Sequence, residues 1–211
     1  MKKVSYIFLL IIIFTLSYQK LNQITSYQKI INKSMQIEND NPYIIATLEF
    51  KNSNKLINLV QRDNNTFFLE HDEFGNESNI GSIFLDYRNN LNDRKLLIYG
   101  HNSKTIEAPF HFLENYLNKE YSKENNILIL KRNNNQKNSH QLFTVFVAKD
   151  DLRHVNLNFN NEEYYEHLLW LKNQSLFDFN ISISQDDSII LMQTCYYKPE
   201  NSYLIVGFKK I

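Results

Sequence analysis

The sequence predicts a mainly β domain, a barrel or sandwich with a few helices, held behind an apolar N-terminal segment. Three observations lead there: an uncharged run at residues 4–18, many short apolar or alternating runs from Ile44 onward, and turn residues (Asn, Asp, Gly) between those runs. The uncharged run "VSYIFLLIIIFTLSY" follows Lys2 and Lys3. As a helix it would cover roughly 23 Å, short of a ~30 Å hydrocarbon core unless its flanks snorkel, so its length suits a secretory h-region or a short anchor. No small-x-small cleavage site follows in "TLSYQKLNQ", and the two lysines would keep the N-terminus in the cytoplasm. We therefore expect residues 1–18 to be a single-pass signal-anchor in the cell membrane with the rest of the chain outside the cell; the other reading is a buried core helix.

Residues 19–40 carry Leu21, Ile24, Tyr27, Ile30 and Ile31 at helical spacing, which predicts an amphipathic helical extension. Residues 41–211 are enough for one domain with a full core. The strand candidates are "IIATLEF" (44–50), "KLINLVQ" (55–61), "TFFLEH" (66–71), "GSIFLDY" (81–87), "KLLIYGH" (95–101), "NILILKR" (126–132), "HQLFTVFVAK" (140–149), "NISIS" (180–184), "SIILMQTC" (188–195) and "YLIVGFKK" (203–210). Two segments read as helices instead. "APFHFLENYLNKEYSKEN" (108–125) sets Phe110, Leu113 and Leu117 on one face. "NEEYYEHLLWLKNQSLF" (161–177) sets Tyr165, Leu168, Leu169 and Leu171 there after an acidic first turn.

The 23 basic and 23 acidic residues cancel, and the one basic cluster, "KRNNNQK" (131–137), reads as a solvated hairpin tip, which argues against a nucleic-acid partner. A single cysteine, Cys195, excludes an intrachain disulfide and leaves a thiol that is either buried filler or reactive. Reactivity requires a thiolate, an imidazole to share its proton and a donor for the oxyanion. Of six histidines, His71 and His154 fall in polar loops, His140 near the hairpin tip and His167 on a helix read as surface or packing residues, and His111 sits on the first helix, where packing is expected. His101 differs: it follows "KLLIY" through Gly100 and emerges at the end of a buried strand, where a rigid element can aim it. A metal set built from Cys195, His101, His111 and Asp86 has no CxxC or HExxH spacing behind it, so no metal or other cofactor is expected. A purely structural extracellular domain with an inert Cys195 stays open on the residues alone.

"YGHN" (99–102) and "LMQTC" (191–195) resemble the histidine and cysteine motifs of sortases, the membrane-anchored cysteine transpeptidases of Gram-positive bacteria. Residues 57–90, "FHFLENYLNKEY" (110–121) and "YYEHLLWLKNQSLFDFNISISQDDSIILMQTC" (164–195) resemble, in order, further blocks of class B sortases, so that the likeness runs over about residues 19–211. The resemblance implies an eight-stranded barrel with N-terminal helices and a long helix before the penultimate, cysteine-bearing strand. It implies that Cys195 attacks the threonine carbonyl of a C-terminal sorting signal, of Asn-Pro-x-Thr-x type, in a secreted protein. His101 would protonate the leaving amine, and an amine of a peptidoglycan precursor or protein would resolve the acyl-enzyme. Thr194 and Gln193, beside the cysteine, would border the substrate. Asp86, Tyr87 and Arg88 read as contacts that order a loop.

One departure stands out. Class B sortases carry an arginine on the strand after the cysteine, yet "CYYKPENSYLIVGFKK" has none and sets Tyr203 in that place beside Ser202. Loss of a charged oxyanion donor costs ~10²- to 10³-fold in turnover. Either Lys198 or Arg153 supplies the charge from a neighbouring loop, or Tyr203 and backbone amides suffice for a slow reaction, or the domain binds sorting signals with little catalysis.

Overall fold

The computed structural model describes Tyr18, Lys20 and residues 41–53, 55–106 and 108–211. The anchor expected over 1–18 and the extension over 19–40 lie outside the described residues, Tyr18 and Lys20 apart, and among the described residues no helix is long and apolar enough to cross a membrane. The chain divides into two compact units, Met1–Pro42 and Tyr43–Ile211; everything below belongs to the second.

Eight strands close a barrel: β1 (Ile44–Phe50), β2 (Lys55–Val60), β3 (Phe84–Leu85), β4 (Lys95–Tyr99), β5 (Ile127–Arg132), β6 (Lys137–Ala148), β7 (Ile189–Tyr196) and β8 (Ser202–Lys210), in the order β1-β2-β3-β4-β7-β8-β6-β5. The eight-stranded barrel expected from the resemblance is therefore present. Closure leaves no open sheet edge. β4 and β7 run parallel, joined by the long connection that contains β5, β6 and a 14-residue helix, while β7 meets β8 antiparallel.

The centre of the sheet is buried on both faces. Ile190 and Met192 of β7 join Leu96 and Ile98 of β4 and Leu204, Val206 and Phe208 of β8 in the barrel interior. Their alternate neighbours Ile189, Leu191, Leu97 and Ile205 pack outward beneath Tyr164, Leu168 and Leu171 of the helix Asn161–Gln174. Burial on two sides is why "SIILM" reads as a continuous apolar run rather than an alternating one. The helix itself, the second α-helix (α2), starts on a capping box in which Asn160 accepts from Glu163 N–H and Glu163 accepts from Asn160 N–H.

Four sequence expectations change. "TFFLEH" is not a strand but a 3-10 turn, Phe67–Leu69, opened by Asn64 Oδ1 accepting from Thr66 and Phe67 N–H; Phe68 plugs a small core with Ile44, Val60 and Phe84. "NISIS" forms no strand, although Ile181 and Ile183 still pack on the outer cluster. The helix expected over 108–125 breaks into a 3-10 segment, His111–Leu117, and a first α-helix (α1), Lys119–Glu124. The break is at Asn118, whose ψ of 124° leaves the helical region and whose side chain caps Glu120 and Tyr121. Within α2 the buried face is Tyr164, His167, Leu168 and Leu171, and Tyr165 points outward at 37 % exposure. The Tyr164 hydroxyl, which donates to Arg94 O and Asp187 O, selects that rotation.

Gly207 marks the tightest point of this packing. A methyl group there would lie 2.5 Å from Thr144 Cγ2 and 2.8 Å from Leu191 Cδ2. Gly207→Ala is expected to destabilise the domain by about 1–3 kcal/mol, read as a lowered midpoint in urea; an unchanged midpoint would show that β6 and β7 yield freely behind the site.

Candidate active site

Parallel pairing of β4 with β7 runs from Lys95 opposite Ile189 to Tyr99 opposite Gln193, and Gly100 N–H carries it on to Gln193 O at 3.4 Å. Two residues past the last pair, His101 follows the end of β4 and Cys195 continues β7. Antiparallel pairing then sets Tyr203 of β8 directly opposite Cys195. His101 thus comes from a distant part of the chain to the same end of three adjacent strands as the hairpin partners Cys195 and Tyr203. They border one groove of about 390 Å³, together with Leu69, Tyr99 and Gln193.

Cys195 is a free, exposed thiol. Partial burial of its sulfur pushes its pKa above the ordinary thiol value, because desolvation disfavours the thiolate. His101 is half-buried, and its Nε2 lies 2.8 Å from Leu69 O. A carbonyl oxygen only accepts, so Nε2 carries a proton and Nδ1 is the nitrogen left to exchange one.

Hydrogen bonds lock the two strand ends together. Thr194 borders the groove, but its hydroxyl is committed to Gly100 O at 2.7 Å. Asn102 Nδ2 donates to Cys195 O (3.0 Å) and to Glu114 Oε1 (2.6 Å), its Oδ1 lies 2.9 Å from His111 Nδ1, and its own carbonyl accepts from Tyr197 Oη at 2.8 Å. His111, expected to pack, is instead exposed, because its role is to complete the Asn102 carboxamide. Sequence reasoning passed over Asn102; the signal available was a polar residue next to a strand-end histidine, ahead of the 3-10 segment that carries Glu114.

The groove wall rests on a second network. Asp86, fully buried, accepts from Arg88 N, Nε and Nη2 and from the Tyr99 hydroxyl, and Arg88 reaches on to Val155 O. Burial alone would raise the Asp86 carboxyl, but the Arg88 and Tyr99 bonds outweigh it and hold the carboxyl below its usual range. Asp86 and Arg88 thus order the loop, as their sequence context suggested, while Tyr87 is 51 % exposed. Lys95, on the outer face of β4, donates from Nζ to His154 O (2.8 Å), Asn156 O (2.5 Å) and His167 Nε2 (2.8 Å), tying the segment before α2 to the sheet. Burial, then the Arg88 charge, pushes Lys95 down to about 7.

Neither loop cation reaches the groove. Arg153 is held by Asp151, with Nη2–Oδ2 at 2.6 Å, and stacks 4.4 Å above the Trp170 ring in a separate cleft. Lys198 is exposed in the β7–β8 turn, which Ser202 Oγ closes by donating to Tyr196 O and Pro199 O. Among the described residues that line the groove there is no Arg or Lys. Gln193 does line it, and its Oε1 lies 2.7 Å from His154 Nε2.

No family model matches the sequence. The chain is 28 % identical to sortase B of Listeria monocytogenes over 140 residues, 65 % of this chain, and spans only 56 % of that relative's length. It is 23 % identical to sortase B of Staphylococcus aureus over 190 residues, 85 % of this chain and 76 % of that one. Among solved structures, Clostridium perfringens sortase B superposes with a TM-score of 0.77 at 29 % identity, covering 85 % of this chain and 99 % of that one. A Staphylococcus aureus sortase B-substrate complex superposes at 0.73 and 22 % identity, covering 85 % and 83 %, and shares the fold.

Because burial rather than a charge governs the thiol, alkylation of Cys195 by iodoacetamide should be slower at neutral pH than that of free cysteine. It should climb about tenfold per pH unit until beyond the ordinary thiol range. A plateau reached near pH 7 would show that a neighbouring cation, not desolvation, controls this sulfur.

Proposed function

As a class B-like member of the sortase family, this chain is, we propose, a cysteine transpeptidase that cuts a C-terminal sorting signal of Asn-Pro-x-Thr-x type in a secreted protein. The observation that carries this reading is that His101, just past the end of β4, and Cys195, near the end of the adjacent parallel strand β7, border one groove with Tyr203, which pairs with Cys195 across β7 and β8.

The chemistry follows from these positions. The Cys195 proton passes to His101, and the thiolate attacks the threonine carbonyl carbon, forming a C–S bond and an oxyanion. His101, now imidazolium, gives its proton to the leaving nitrogen as the C–N bond breaks, and a thioester remains on the sulfur. An acceptor amine on a peptidoglycan precursor or protein attacks that thioester, loses a proton to His101, and expels the thiolate, which recovers it. The Tyr203 hydroxyl and strand-end backbone N–H groups are the donors for the oxyanion. Without a charged donor, turnover falls ~10²- to 10³-fold below that of an arginine-equipped site. The apolar run at 4–18 supports a membrane-anchored enzyme whose domain lies outside the cell.

A second reading draws on the same absence. A groove with no cation and a thiol raised by burial also suits a domain that captures sorting signals and turns them over weakly.

Incubation of the full chain with a fluorogenic Asn-Pro-x-Thr-x peptide should give cleavage that Cys195→Ala abolishes; equal signals would remove the catalytic reading. Tyr203→Arg should raise the rate by about 10- to 100-fold, and no rise would mean that the oxyanion is served from elsewhere. Arg153→Ala should leave turnover unchanged, as its ion pair with Asp151 lies outside the groove.

A further inference from the structure

Gln193 stands two residues before Cys195 on the same face of β7 and lines the same groove. Its Oε1 meets Nε2 of His154, a ring from the turn Arg153–Val155 that is 0 % exposed and packs edge-on against Phe146. The other ring nitrogen, Nδ1, is buried and makes no hydrogen bond of good geometry among the described residues, although the Asp151 backbone also acts on the ring.

The short contact decides the arrangement. A carboxamide oxygen only accepts, so the 2.7 Å contact with Gln193 Oε1 places the ring proton on Nε2 and not on Nδ1. Burial keeps the ring uncharged: it outweighs the Gln193 bond and lowers the His154 pKa. A donating Nε2–H can be met only by the oxygen end of the Gln193 carboxamide. The NH₂ end is therefore turned away from His154, and neither of its hydrogens has a protein acceptor among the described residues. Packing confines the His154 ring, which is 0 % exposed and edge-on to Phe146, while Lys95 Nζ anchors the backbone around it through His154 O at 2.8 Å and Asn156 O at 2.5 Å. In a groove lined by no Arg or Lys, a fixed amide donor is conspicuous.

We propose that His154 is a positioning residue that holds the Gln193 carboxamide with its N–H groups facing the groove, so that Gln193 selects an acceptor oxygen, a backbone carbonyl or carboxamide, on the bound peptide. This rests on the groove being the peptide site. It assigns a polarity to that site: the floor beside the cysteine reads acceptors and disfavours donors.

Two measurements test it without requiring turnover. In the full chain, held in detergent and labelled with ¹⁵N-histidine, long-range ¹H–¹⁵N correlations should show His154 as the neutral Nε2–H tautomer; an Nδ1–H tautomer or an imidazolium at neutral pH overturns the proposal. In a Cys195→Ala background, binding of a fluorescein-labelled Asn-Pro-x-Thr-x peptide is then measured. Gln193→Glu keeps the acceptor that His154 needs but removes both donors, and should weaken binding about tenfold or more. His154→Leu should weaken it less, and His154→Gln, which can still donate to Gln193, should recover most of that loss. If Gln193→Glu binds as tightly as the parent, or if none of these chains binds the peptide, the proposed reading of an acceptor oxygen is overturned. A chain that cuts no peptide yet shows the expected tautomer and loses binding in Gln193→Glu would overturn the transpeptidase reading and leave this inference standing.

Discussion

Five consecutive parallel pairs between β4 and β7, Lys95 with Ile189 through Tyr99 with Gln193, are the constraint on which the site depends. A slip of one residue would turn every side chain of β7 to the opposite face. Cys195 would then point into the barrel, and Thr194 would lose Gly100. The register is held because both faces are buried: Ile190 and Met192 inside, Ile189 and Leu191 beneath α2. The Thr194 hydroxyl on Gly100 O and the Asn102 carboxamide on Cys195 O add polar pins at the strand ends. Rigidity at the groove end draws on apolar packing elsewhere in the same strands.

Polar groups finish what the apolar packing starts. Asn102 joins the segment after His101 to the carbonyl of Cys195, and Asp86 joins Tyr99 to Arg88 and so to Val155. These carboxamide and carboxylate groups are buried and fully engaged, the condition under which such groups specify one arrangement instead of weakening it. The buried Lys95 side chain does the same for the segment that carries His154. The groove itself is the contrast. Its walls are neutral, its thiol is shifted upward by desolvation, and the chain's nearby cations are paired elsewhere, Arg153 with Asp151 and Arg88 with Asp86. A site built this way relies on oriented neutral dipoles rather than on charge.

The strand runs, the hairpin tip, the long helix before β7 and the placing of His101 and Cys195 at strand ends were legible in the sequence, because each depends on local pattern. Hydrophobic period, turn residues and a capping box act within a few residues of one another. The errors fell where a local pattern serves a non-local purpose: "TFFLEH" is apolar because Phe68 fills a core, not because it pairs, and Tyr164 rather than Tyr165 faces inward because its hydroxyl finds two carbonyls.

By itself, then, the sequence determined which residues could do chemistry: one thiol and one strand-end imidazole, while the family resemblance alone sets Tyr203 where an arginine is expected. Tertiary structure alone decided their company. It took Arg153 and Lys198 away from the groove, brought Asn102 to the back of Cys195, and placed His154 against Gln193, 39 residues along the chain. The physical reason is that hydrogen bonds and ion pairs act over about 3 Å, whereas their partners are chosen by how strands and loops close in space, which no short window of sequence contains.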